Sequence, residues 1–155
     1  MKPRIERTRQ GDYRLRLTRH ERDALRSLPA QLRELLSTDD ASLVRLFPPA
    51  YADDPASNVE YEQLTRDSLL ADRLQALRVM EATVDADRLT EEQLNGWMGA
   101  LNDLRLVLGT RLDVSEDVYE RELDPDDPRA PELALYAYLS WLLEQAVAAL
   151  ASGLT

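Results

Sequence analysis

The feature that most constrains this chain is the spacing of its leucines. Leu94, Trp97, Met98, Leu101, Leu104 and Leu108 recur every three or four residues, which places them on one face of a helix. The same spacing unites Leu25, Leu28, Leu32, Leu35 and Leu36. Twenty-nine leucines stand against eight valines and a single isoleucine, Ile5, so helix formers dominate and β-branched strand formers are scarce. The chain is therefore predicted to be mainly α, a single compact helical domain of five to seven helices over residues 1–155.

Caps and breakers set the predicted boundaries. Thr18 with Glu21, and Thr90 with Gln93, have the spacing of a capping box, in which each side chain satisfies the other residue's backbone N–H. Pro29 either kinks the first helix or opens a second as its first residue. Ser42 to Phe47 is predicted to be a short helix stopped by Pro48-Pro49, with an exposed loop from Tyr51 to Asn58. A long helix is expected from Val59 to Val84, with Tyr61, Leu64, Leu70, Leu74 and Leu77 toward the core. Gly109 suits a left-handed residue closing the next helix. Residues 115–131, rich in Asp, Glu and Pro, form an acidic surface loop in this scheme, and Pro131 opens a last helix running to Ala151.

Ahead of this helical body (18–151), Gln10-Gly11-Asp12 supplies turn chemistry, and Tyr13, Leu15 and Leu17 alternate with Arg14 and Arg16. Residues 1–17 are thus predicted to form a short basic β-hairpin. A lone hairpin is marginal in water, so its apolar face should dock on the helices.

The chain carries 29 acids and 19 bases, a net charge of −10, and a pI near 4.6. That charge is unevenly spread: residues 1–22 are net +5 and residues 23–155 net −15. The acidic balance argues against broad phosphate-backbone contact, and no helix-turn-helix or zinc-finger signature accompanies Arg7, Arg9, Arg14 and Arg16, so direct nucleic-acid binding is not expected. These arginines read first as a solvated face or as partners for the chain's own acids, and second as a surface for an acidic protein. No secretory leader opens the sequence, which points to the cytoplasm. The last helix is apolar almost all round but interrupted by Glu144-Gln145. It reads as a core helix, or one that also serves a second copy in a homodimer, rather than a membrane span.

Zero cysteines exclude a disulfide, a thiolate nucleophile and a Cys-based zinc site within these residues. The sole histidine, His20, sits at a helix start among Arg19, Glu21 and Arg22, without a nucleophile beside it. There is no Gly-x-Ser-x-Gly elbow and no glycine-rich phosphate loop. Asp124, Asp126 and Asp127 imitate a calcium loop for three residues, then meet Pro128 in place of the required glycine. No catalytic residue, cofactor or metal is assigned.

The polar residues of interest are Asn102, Asp103, Arg105 and Arg111. Asn102 and Arg105 lie one helical turn apart, adjoining the leucine stripe. One reading makes the group a network joining this helix to its neighbours; the other makes it a binding surface for a protein partner. A rival reading is a small helical enzyme or ligand-binding domain, with Asn102, Arg105 and carboxylates lining a closed cavity.

Trp97, Leu101-Asn102-Asp103 and the run Leu104 to Leu112 together resemble the signature of a bacterial family that includes the atypical oxidative-stress transcriptional regulators called AosR. Phe47-Pro48-Pro49-Ala50-Tyr51, Glu60-Tyr61 and the passage from Tyr13-Arg14-Leu15 to Glu21 share the likeness, which spans residues 12–150. The resemblance implies a small, mainly helical, non-enzymatic cytoplasmic regulator. It would act by contact with the transcription machinery, a sigma factor or another component, through Asn102, Asp103, Arg105 and Arg111, with Arg14 and Arg16 second. Redox-responsive members of that family depend on a cysteine pair, which this chain lacks.

Overall fold

A computed structural model describes residues 2–47, 55–112 and 126–153. Within them the chain forms strands β1 (Ile5–Arg7) and β2 (Tyr13–Leu15), then helices α1 (Arg19–Arg26) and α2 (Leu28–Leu36). A single 3₁₀ turn (Ala41–Leu43) precedes the long α3 (Pro55–Thr83), strand β3 (Arg88–Leu89), α4 (Glu91–Leu112) and α5 (Ala130–Ser152). The protein is mainly α, as the leucine spacing predicts, with five α-helices among the described residues.

Both capping boxes form. Thr18 Oγ1 accepts from the Glu21 N–H at 3.1 Å while the Glu21 carboxylate accepts from the Thr18 N–H at 3.0 Å. Thr90 and Gln93 repeat the exchange at 2.9 and 3.1 Å, fixing the start of α4. Pro29 splits rather than kinks: it lies in the first turn of α2, where its missing N–H costs no helical hydrogen bond.

The hairpin is antiparallel, with Ile5 opposite Leu15 and Glu6 opposite Arg14. Gly11, at φ +92°, occupies the left-handed region that its turn requires. The sheet has a third strand that the sequence pattern did not reveal: β3 pairs antiparallel with β2, placing Leu89 opposite Tyr13 and Arg88 opposite Arg14. Ile5, Tyr13, Leu15 and Leu89 are buried. They join Leu25, Leu77, Met80, Leu94, Trp97, Leu101 and Leu142 in one core. Trp97, completely buried, donates its indole N–H to Thr83 Oγ1 at 2.7 Å.

Arg22 stitches the sheet to the helices. Its guanidinium donates to the carbonyls of Leu15, Leu17, Val84 and Ala86 at 2.8–3.2 Å. These carbonyls lie at the ends of β2 and α3, where regular pairing leaves them without partners.

Several predicted boundaries are corrected. α3 starts at Pro55 rather than Val59, so Pro55 to Asn58 are helical and not loop; proline is favoured at a helix's first position. The short helix expected over Ser42–Phe47 is only the 3₁₀ turn Ala41–Leu43, capped by Asp40. Leu64, expected in the core, is 72% exposed. Gly109 does not end a helix: it lies inside α4, where a Cβ would stand 2.8 Å from the Tyr136 ring. Proximity to α5, not a left-handed conformation, is what the position demands. Of the acidic stretch 115–131, residues 115–125 lie outside the described region, and Ala130 and Pro131 already belong to α5.

By length and composition α5 could cross a bilayer. Here it packs through Leu133, Tyr136, Leu139, Leu142, Ala146 and Ala149, all buried, and leaves Trp141 and Val147 exposed. Trp141 lies under the Arg4 guanidinium, 5.8 Å from the ring centroid, and beside the Tyr138 ring.

Candidate functional site

Two small residues set the position of α4 against α3. A Cβ on Gly96 would meet Val79 Cγ1 at 2.9 Å, and one on Gly99 would touch Ala76 Cβ at 3.5 Å. One turn further along the same face comes Asp103, 1% exposed. Its carboxylate accepts from Arg73 Nη1 at 2.6 Å, and Arg73 Nη2 donates to the Leu46 carbonyl at 2.9 Å. Arg73 and Arg66 both lie over the Phe47 ring. Burial pushes the Asp103 carboxyl above its usual range, and the Arg73 charge only partly offsets it. Asp103 therefore joins α4, α3 and the segment after the 3₁₀ turn, and presents nothing to solvent.

Asn102 and Arg105 face another way. Arg105 Nη2 donates to Asn102 Oδ1 at 2.9 Å, and both residues are half-buried. Arg105 Nε is buried with no hydrogen-bond partner among the described residues. Arg111, at the exposed end of α4, lies 3.6 Å from the Asp40 carboxylate and 3.4 Å from Ser42 Oγ. It flanks an open groove of about 570 Å³ between α2, α4 and α5. Leu28, Leu35, Leu104, Leu108 and Leu135 form the groove's apolar wall, and Gln31, Glu34, Thr38 and Glu132 its polar margin. Asn102 and Arg105 do not line this groove.

The other predicted pair, Arg14 and Arg16, lies on the sheet. Alternation turns Tyr13 and Leu15 inward and Arg14 outward. Arg16 is bound to Glu6, whereas the Arg14 side chain has neither ion pair nor hydrogen bond among the described residues. With Arg7, Arg9, Arg88, Glu6, Thr8 and Gln10 they line a cleft of about 380 Å³. Arg7 also lies against the C-terminal end of α5, beside Gly153, where a cation complements the helix dipole.

The six predicted residues thus occupy three places: an internal tie (Asp103), the α4 surface (Asn102, Arg105 and, at the groove, Arg111), and the sheet (Arg14, Arg16). Reasoning from sequence missed Arg88, because nothing signalled that β3 would join the sheet. Leu104 is buried in the core and Leu28, Leu35, Leu108 and Leu135 are half-buried against it; helical spacing does not show that the same residues also border a groove.

A further polar cluster holds the hairpin to α5. Glu21 accepts from the Tyr138 hydroxyl at 2.7 Å and pairs with Arg4 at 3.0 Å. Burial acts against the Glu21 charge, but the Thr18 N–H, Tyr138 and Arg4 outweigh it and hold the carboxyl below its ordinary range. Burial and the neighbouring Glu21 push the Tyr138 phenol up.

Across residues 1–150 the chain matches the model of a family described as a domain of unknown function, DUF2017. It belongs to that family. This DUF2017 member is also 31% identical over 130 residues to the putative oxidative stress regulator AosR of Mycobacterium leprae, covering 72% of this chain and 59% of that protein. The oxidative stress regulators AosR of Mycobacterium bovis and Mycobacterium tuberculosis are each 31% identical over 125 residues, covering 70% of this chain and 57% of theirs. The match thus spans somewhat under three fifths of these curated relatives. No solved structure matches the chain.

Proposed function

We propose that the chain is a non-enzymatic regulatory module that acts in the cytoplasm by binding a protein of the transcription machinery, a sigma factor being the class of partner. The observation that carries this reading is the likeness to proteins named oxidative stress regulators, which includes the α4 segment bordering an open apolar groove. Contiguous apolar surface with a polar margin is what a docking helix or strand uses. Arg111 at the groove, with Asn102 and Arg105 on the same helix, supplies the polar part of the contact, and the sheet arginines a second point. With no cysteine in these 155 residues, a response to oxidation through a disulfide within them is excluded.

The rival enzyme or ligand-binding reading required Asn102 and Arg105 to converge with carboxylates in a closed cavity. Among the described residues their side chains hydrogen-bond only to each other, and the groove beside Arg111 is open, which favours the interaction module. A photo-crosslinking residue introduced at Gln31, on the groove margin, tests it in living cells. The expected product joins this chain to a component of RNA polymerase or a sigma factor, and Arg111→Glu weakens it while the thermal melt is unchanged. Absence of every transcription component from the specific products refutes the reading.

A further inference from the structure

We propose that the cleft on the outer face of the sheet docks a short acidic segment of a protein partner. The register of the sheet is the first ground. β2 and β3 place Arg14 directly opposite Arg88, and like charges directly opposite in an antiparallel pair disfavour that pairing. Among the described residues the acids on this face are already engaged: Glu6, the other cross-strand neighbour of Arg14, is held by Arg16, and Asp12 pairs with Arg88 at 3.5 Å. The side chains of Arg14 and Arg9 have no ion pair or hydrogen bond among the described residues. The fold thus places the guanidinium groups of Arg9 and Arg14 in one concavity without a partner among the described residues, in a chain with ten more acids than bases. Planar guanidinium groups match carboxylates with paired hydrogen bonds.

The size of the cleft selects among anions. Strands of three residues span about 10 Å at roughly 3.3 Å per residue. A nucleic acid long enough to bind by its backbone would overrun that length onto a body of net charge −15. At physiological salt, charges separated by less than about 8 Å are still poorly screened, so the overrun is repelled. A peptide with two or three clustered carboxylates ends before reaching it. The identity of the occupant as a protein segment rests on the reading of the chain as a protein-binding module; the cleft and its charge do not.

The test is an anisotropy titration of the intact chain against a short fluorescein-labelled poly-glutamate peptide, with a labelled oligothymidine of equal length beside it. Expected is peptide binding that weakens as salt rises, stays stronger than oligothymidine binding, and falls about tenfold or more with Arg14→Glu. Arg78→Ala, which removes an exposed arginine on α3, leaves it unchanged. Arg14→Thr separates docking from structure: peptide binding drops while the melting temperature holds or rises, because the clash with Arg88 is relieved. No peptide binding at low salt, equal binding by Arg14→Glu, equal loss with Arg78→Ala, or preference for oligothymidine each overturns the proposal. Its failure leaves the crosslink at Gln31 untouched, and failure of that crosslink leaves peptide docking standing.

Discussion

Two glycines of the same helix should respond to alanine with opposite signs. Gly99 and Gly109 both lie within α4, so a methyl group favours the helix at either position by about 1 kcal/mol. At Gly99 the new Cβ would lie 3.5 Å from Ala76 Cβ, an ordinary van der Waals contact. Gly99→Ala is expected to keep most of that gain. At Gly109 the Cβ would lie 2.8 Å from Tyr136 Cε2, and the ring is itself buried. Forcing a methyl into packed surroundings costs about 1–3 kcal/mol, so Gly109→Ala should lose up to about 2 kcal/mol net. The difference between the variants is then about 1–3 kcal/mol, or several degrees of melting temperature at about 2–4 °C per kcal/mol for a chain near this size. Urea denaturation monitored by circular dichroism measures both. Adding Tyr136→Leu to Gly109→Ala should recover part of the loss, giving a coupling energy that distinguishes ring contact from a general effect on α4. If Gly109→Ala stabilises as much as Gly99→Ala, the proposed close approach of α4 to α5 is wrong.

Arg73→Met should cost about 3–5 kcal/mol in urea denaturation at neutral pH, because it leaves the Asp103 charge buried without its partner; a loss below about 1 kcal/mol would mean that Asp103 is solvated. Two carboxyls should also give pH dependences of opposite sign. Glu21 is held below its usual value of 4.5 in the fold, so its contribution is present above that pH and lost as pH falls through the folded value; Glu21→Gln should flatten the acid limb of a stability–pH curve. Asp103 is raised above 3.8, so its contribution is present below that pH and lost as pH rises through the folded value. Asp103→Asn should remove that decline and leave the protein at least as stable at pH 7 as below pH 4, measured by the same curve.

Sequence reasoning succeeded where the determinants are local. A capping box involves four consecutive residues, and Thr18, Glu21, Thr90 and Gln93 form the bonds their spacing predicts. It failed where a distant partner decides. β3 is two residues long, one of them arginine, and becomes a strand only because β2 lies beside it. Gly109 has the sequence context of a helix end, yet its reason lies across the interface in Tyr136. Leu64 keeps the helical period, but residues 63–68 of α3 are exposed or half-buried, so the stripe continues beyond the packing that would use it. Among the candidate residues, Asp103 ties α4 to α3 through Arg73, a partner that helical spacing does not name. The groove was illegible, because it is assembled from elements far apart in the chain; of the basic cleft, the hairpin arginines were legible and Arg88, brought in by β3, was not.

That separation has a kinetic consequence. Arg14 and Arg88 become neighbours only after α1, α2 and α3 have been threaded between them, and such non-local pairing is slow because the intervening loop must be closed before any contact offsets its entropy. The hairpin can form from residues close in sequence, but the third strand cannot. A nascent or partly unfolded chain therefore displays the hairpin arginines without Arg88, and a ligand that needs the complete cleft would select chains whose folding is complete.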